Sequence, residues 1–100
     1  MEEVLDDLGI NVDTTDVHGN TLFILACQQG SKKMVKFLLR RSAEMNAQNH
    51  VGNTALHYLY AYGNVRIADY LIKKGADDSV LNAGGLTPYE GLSRDNLEAL

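Results

Sequence analysis

The sequence contains no tryptophan and a single cysteine, Cys27. One cysteine excludes an intrachain disulfide and any cage of cysteine ligands around zinc. It also suits a reducing compartment, so the expected location is the cytoplasm or the nucleus. No apolar run approaches the ~20 residues that a membrane-spanning helix requires. The opening stretch, Met1 to Asp7, carries Glu2, Glu3, Asp6 and Asp7. A secretory leader would begin with positive charge and continue into an apolar segment. Positive charge is scarce as well: the net charge is -4, with a pI near 5.2. Phosphate backbones are bound by a surplus of Lys and Arg, so nucleic acid is not the expected partner.

The chain does have enough apolar residues to fold. Hydrophobic residues make up 45% and charged residues 22% of 100 positions, which is the composition of an ordinary folded protein rather than of a disordered tail. A compact globule of this size buries a modest core. A stack of repeats can be equally short, because each unit packs only on its neighbours.

Periodicity decides between these two. Gly19, Gly52 and Gly85 are spaced by 33 residues, as are Thr21, Thr54 and Thr87. The same step relates Leu5, Leu38 and Leu71, then Gly9, Ser42 and Gly75, and the apolar set Phe23, Leu56 and Tyr89. Repeats of this length are the signature of solenoids.

Each period reads as turn, helix, turn, helix. His18-Gly19-Asn20 and Val51-Gly52-Asn53 are turn tripeptides in which glycine can adopt positive φ. The following threonine is a natural N-cap, because its hydroxyl accepts from free helix amides. At Thr87 the pattern adds Pro88 in the first helical position and Glu90 as the partner of a capping box. First helices are predicted over 22–29 and 55–62, stopped by Gly30 and Gly63. Second helices are predicted over 32–41 and 65–74, with Arg40, Arg41, Lys73 and Lys74 in their last turns, where cations offset the helix dipole. Helices this short must stack to bury their apolar faces. The fold class is therefore all-α, a solenoid of helix-turn-helix units with hairpin-like turns.

These residues resemble a known family. Asp16-Val17-His18-Gly19-Asn20-Thr21 and Gly52-Asn53-Thr54-Ala55-Leu56-His57 resemble the turn and Thr-Pro-Leu-His opening of an ankyrin repeat. Lys74-Gly75-Ala76-Asp77 and Gly85-Leu86-Thr87-Pro88-Tyr89 are similar to its other signatures. The register implies one domain over 1–100, made of a partial repeat (1–15), full repeats (16–48 and 49–81) and a second partial repeat (82–100). Val4, Leu8, Leu97 and Leu100 would then be poorly covered, as in a fragment of a longer stack or a domain finished by a partner. The sequence departs from the family pattern at Leu59 and Tyr60, where small alanines are usual, so the stacking must open or the ring must point to a rim. Ser42 replaces an expected glycine, which implies a strained or re-shaped helix end.

The resemblance implies a non-catalytic protein-protein interaction module, presenting a concave surface of turn tips and first-helix ends. The alternative is a structural or regulatory segment of a longer repeat or multidomain protein. The expected partner-binding residues are Val17, His18, Asn20, Gln28, Gln29, His50, Val51, Asn53, Tyr62 and Leu86. The expected partner is another protein, with no nucleic acid and no membrane, and with end-to-end self-association as a further option. Tyr58, Tyr60 and Tyr70 are read as packing.

Other candidate chemistry is weak. His18, His50 and His57 lack the i, i+4 ligand spacing of a helical zinc site, so neither metal nor cofactor is expected. Cys27 occupies a normally small, buried site, where a thiol without a basic neighbour is inert. No nucleophile elbow, phosphate-cradling loop or triad candidate appears, so the chain is read as not an enzyme. Lys32, Lys36 and Arg40 form an i, i+4, i+8 stripe on a second helix. The plain reading is a solvated face, and the sharper one is a patch for an acidic partner or a membrane surface.

Overall fold

The computed structural model describes residues 12–92. The expectations placed on Val4, Leu5, Leu8, Gly9, Leu97 and Leu100 lie outside the described residues. Within them the order is four helices: α1 (Leu22–Gln29), α2 (Lys32–Arg40), α3 (Ala55–Ala61) and α4 (Val65–Lys73). The regular structure is helical, with one isolated antiparallel bridge, Thr15 to Thr21. This is the all-α solenoid architecture that the period implies.

The caps explain where each helix starts. Thr21 sits in extended backbone, and its Oγ1 accepts from the Ile24 N–H at 3.1 Å. Ser31 Oγ accepts from the Met34 N–H at 3.3 Å to open α2. Thr54 opens α3 through a capping box in which the reciprocal group is His57 rather than Glu. Gly30 ends α1 in the left-handed region, with φ 70°, and its N–H reaches the Ala26 and Cys27 carbonyls. The other three helices stop one residue short of the sequence expectation. Arg41, Tyr62 and Lys74 become C-cap residues whose N–H groups still bond back into the helix.

The two helix pairs share one interior. α1 packs on α2 and on α3, and α3 packs on α4. Phe23, Ile24, Cys27, Val35 and Leu38 join Ala55, Leu56, Leu59, Ala68 and Leu71 in a continuous buried cluster. Leu38 and Leu71, one period apart, are 1% and 0% exposed. Burying each leucine is worth about 1.5–3 kcal/mol. Leu59 also lies inside the core, whereas Tyr60 sits half-buried at its rim, its ring 4.7 Å from that of Tyr89. The extra volume at these family alanine sites is thus split between the core and an edge.

The turns repeat atom for atom. Asp16 Oδ1 accepts from the His18 and Asn20 N–H groups, both at 2.9 Å. Asn49 Oδ1 does the same for Val51 and Asn53, at 3.2 and 3.0 Å. Asn82 Oδ1 repeats it for Gly84 and Leu86, at 3.0 and 3.1 Å. Successive turns are stitched by backbone bonds: the His50 N–H donates to the His18 carbonyl at 2.9 Å, and the Ala83 N–H to the Val51 carbonyl at 3.0 Å. Close backbone approach explains the glycine at position 52. It has φ 80°, and a Cβ there would lie 2.6 Å from the Ala83 nitrogen.

A second seam follows the loops after the second helices. Asp13 Oδ1 accepts from the Glu44 N–H at 3.0 Å, and Asn46 Oδ1 from the Asp77 N–H at 2.8 Å. Ser42 adopts φ 64°, the left-handed conformation that Gly75 takes up one period later with φ 105°. The missing glycine has changed the residue, not the turn, at the cost of placing a Cβ in a strained region.

At the C-terminal side, Glu90 Oε1 accepts from the Thr87 N–H at 2.8 Å, the reach expected of a capping box. The Glu90 and Gly91 N–H groups both donate to the Thr87 carbonyl. Among the described residues this is a single turn at 88–90, closed by Gly91 at φ 121°.

Candidate functional site: the groove between turn tips

The stitched turns bring four side chains to one edge. His18, Asn20, His50 and Val51 line a groove of ≈ 280 Å³ together with Asn49 and Tyr58. Val17, His18, His50 and Val51 are exposed, and Val17 reaches 84%. The His50 ring lies against Gly19, so closely that a Cβ on Gly19 would sit 2.5 Å from His50 Cδ2. The glycine therefore seats the imidazole as well as making the turn.

The floor of the groove is a buried amide network. Asn49 Nδ2 donates to Asn20 Oδ1 at 2.8 Å and to Tyr58 Oη at 2.7 Å. Asn53 Nδ2 reaches the same Tyr58 Oη at 3.5 Å. Asn82 Nδ2 donates to Asn53 Oδ1 at 2.8 Å and to the Leu92 carbonyl at 2.9 Å. Each buried amide finds partners, as buried polar groups must if they are not to destabilise the fold. Networks of this kind hold a surface in one conformation.

This network corrects three of the expected contact residues. Asn20, Asn53 and Leu86 are 9%, 3% and 2% exposed, so their side chains are turned inward and unavailable to a partner. Asn20 and Asn53 are spent on the ladder that joins the turns. The Leu86 side chain is buried, and its carbonyl accepts from His57 Nε2 at 2.9 Å. Gln28 is half-buried and Gln29 exposed, but neither lines the tip groove. Gln29 instead borders an apolar groove of ≈ 320 Å³ with Leu22, Leu25, Ala26, Met34 and Leu38. Tyr62 does not line the tip groove either, but it is 55% exposed at the end of α3 and its ring lies 6.0 Å from that of Tyr58, which does.

Of the two further residues that line the groove, Tyr58 was read as packing and is buried, whereas Asn49 was not singled out from the sequence. The signal was present: Asp16, Asn49 and Asn82 form a further 33-residue track of side chains that mimic a backbone turn.

Among the described residues the electrostatics single out no reactive group. A carbonyl can only accept, so His57 Nε2 carries the proton toward Leu86. Nδ1 then accepts from the Thr54 N–H at 3.1 Å and lies 2.9 Å from Thr54 Oγ1. Burial lowers the His57 pKa, although the bond to Leu86 opposes the shift. This is a structural histidine, held neutral. Burial also pushes the Cys27 thiol up to about 12, so it carries no thiolate at neutral pH. Hydrogen bonds from Asn20 and His18 hold the Asp16 carboxyl below its ordinary range. Among the described residues no three His, Cys, Asp or Glu side chains are grouped as a metal site would require. His18 and His50 are the two imidazoles that share the groove. No helix among the described residues is long and apolar enough to cross a membrane.

Comparison with known proteins gives a consistent answer. The family model for ankyrin repeats, in three copies, matches residues 1–82. The chain is 35% identical over 74 residues to an ADP-ribosylation factor GTPase-activating protein of Arabidopsis thaliana, covering 74% of this chain and 10% of that protein. It is 38% identical over 92 residues to an ankyrin repeat and KH domain-containing protein of Caenorhabditis briggsae, covering 88% of this chain and 3% of that one. The chain therefore spans a tenth or less of the length of these relatives. Among solved structures, the ankyrin repeat domain of Bcl-3, from the IkappaB protein family, superposes with a TM-score of 0.81 at 32% identity. That match covers 92% of this chain and 40% of the other.

Proposed function

This chain belongs to the ankyrin-repeat family, and from that premise we propose that it binds another protein through the row of turn tips at Val17, His18, His50 and Val51, continued by Tyr62. Ankyrin repeats are a non-catalytic interaction fold, so binding is the general activity. The choice of face is the specific step. One observation carries it: Val17, Val51 and Tyr62 are 84%, 56% and 55% exposed beside a floor of fully partnered buried amides. Exposed apolar side chains on a fixed base are what an interface needs. Little conformational freedom remains to be lost on binding, so the ordering cost is low. Tyrosine adds contact area with few rotatable bonds. The two imidazoles can donate or accept hydrogen bonds at the rim.

The complementary partner presents an apolar ridge flanked by hydrogen-bonding groups. We further propose a cytoplasmic or nuclear setting, which suits the buried, reduced Cys27.

Site-specific photocrosslinking tests the face. A benzophenone side chain placed at Val51 or at Tyr62, in cells that express the chain natively, should give a covalent adduct with a partner. The same group at Arg66, which is exposed on α4, should not. Adducts from Arg66 with none from Val51 and Tyr62 would overturn the assignment.

A further inference from the structure

The outer helices hold a second surface that shares no residue with the tip groove. α1 packs on α3 more closely than α2 packs on α4. Between the outer pair runs a groove of ≈ 360 Å³, lined by Lys36, Leu39, Arg40, Met45, Tyr70 and Lys74. Three ammonium groups converge on one ring. Lys36 Nζ lies 5.4 Å from the Tyr70 centroid, and Lys32 Nζ and Lys74 Nζ each lie 5.6 Å away. Lys32, Lys36 and Arg40 come from one face of α2, and Lys74 from the end of α4. Among the described residues none of these four cations is held in an ion pair.

That arrangement has a physical consequence. The ring's negative face attracts a cation within about 6 Å, which gathers the ammonium groups. Their mutual repulsion rises as they gather, and among the described residues no carboxylate is paired with them. An incoming anion would remove that repulsion and would meet donors already in place. The chain as a whole is negative, with net charge -4. Screening over about 8–10 Å at ordinary ionic strength lets the local cluster dominate that total.

We propose that this groove is a docking site for an extended acidic peptide of a partner protein. Its carboxylates would meet Lys36, Arg40 and Lys74 around the Tyr70 ring, and one apolar side chain would rest on Leu39 and Met45. A recess with an apolar floor fits a narrow chain better than a flat lipid surface.

Fluorescence anisotropy of the full chain tests this, using a fluorescein-labelled polyglutamate peptide with a central leucine. The same peptide with glutamine for glutamate is the control. The glutamate peptide should bind saturably, more weakly as salt rises, and the glutamine peptide should not. Lys36→Glu with Lys74→Glu should weaken binding by roughly tenfold or more, since both charges face the ligand. Lys33→Glu reverses one charge outside the groove, half the change made by the pair, and should alter affinity by less than about twofold. Should the reversed pair unfold, as judged by circular dichroism, Lys36→Gln with Lys74→Gln gives the same reading. No saturable binding, or an equal loss from Lys33→Glu, would overturn the proposal. So would capture by phosphatidylserine vesicles, dependent on Lys36, without capture of the peptide. Binding at the tips is unaffected by any of these variants, so this test and the photocrosslinking test can fail separately.

Discussion

The first helix pair and the second are built on the same hydrogen-bond plan and finished differently. The turn before α1 and the turn before α3 each close on one side chain, Asp16 or Asn49, accepting from two backbone amides. Both turns make the backbone bond to the next turn along, at 2.9 and 3.0 Å. The dressing differs. The tips Val17-His18 and His50-Val51 carry large exposed side chains, but their equivalents one period later are Ala83 and Gly84. α1 has Ile24 where α3 has His57, which reaches forward to the Leu86 carbonyl. The loop after α2 strains a serine where the loop after α4 relaxes with glycine. What is repeated holds the stack together, and what departs from the repeat either supplies the exposed side chains of the proposed partner face or adjusts stability at one place.

Each half of that comparison can be broken by a substitution. Asn49→Ala should have the largest effect, a loss of about 3 kcal/mol in urea unfolding. It removes two turn bonds and leaves Asn20 Oδ1 and the Tyr58 hydroxyl short of a buried partner, each worth ~1–3 kcal/mol. A loss under 1 kcal/mol would show that the ladder is incidental.

Gly52→Ala should cost about 2 kcal/mol or more, because positive φ carries its own penalty of ~1–2 kcal/mol and the added Cβ meets the Ala83 backbone. Gly63→Ala is the matched control. Its φ is 77° but a Cβ there meets nothing within 4 Å, so only the conformational penalty of about 1 kcal/mol should remain. Equal costs would mean that close packing of the turns does not matter.

His57 sharpens the contrast between α1 and α3 through pH. Its folded pKa is lowered from the ordinary 6.5. The unfolded chain therefore takes up a proton before the folded one does. The stability that comes from the neutral ring is complete above the unfolded pKa and is lost as pH falls through the folded value. Chemical denaturation followed downward from pH 7 should show the midpoint falling below about pH 6.5. In His57→Gln that slope should flatten. An unchanged slope in the variant would remove His57 as the source.

Ser42→Gly should give the smallest effect, a gain of up to about 1 kcal/mol. Relief of left-handed strain outweighs the extra freedom of glycine in the unfolded chain. Gly75→Ser should lose a similar amount. A loss in both would show that Ser42 contributes something beyond its backbone angle.

Much of this architecture was legible in the sequence. The glycine, threonine and leucine tracks fix the helix starts, because capping hydroxyls and turn glycines are local chemistry. The helix ends were read a residue too far at Tyr62, Arg41 and Lys74, since a C-cap residue still donates into the helix and resembles its last turn. The exposure of the residues expected to form the contact face was legible only in part. Val17, His18, His50, Val51 and Tyr62 are exposed, but Asn20, Asn53 and Leu86 turn inward. A polar residue beside a turn glycine suggests solvent, and only the spacing between adjacent turns reveals that Asn49 reaches back to Asn20. Sequence spacing along one chain could place Lys32, Lys36 and Arg40 on one face of α2. It could not bring Lys74 and the Tyr70 ring to the same place, because that depends on how the outer helices pass each other.

The central claim is that both turn junctions rest on the same backbone support, whatever side chains they display. Amide hydrogen exchange measured by NMR at His50 and Ala83 tests it at the two bonds concerned. Both amides should be protected, with rates within about tenfold of one another after correction for local sequence. Protection at His50 with free-chain exchange at Ala83 would contradict it.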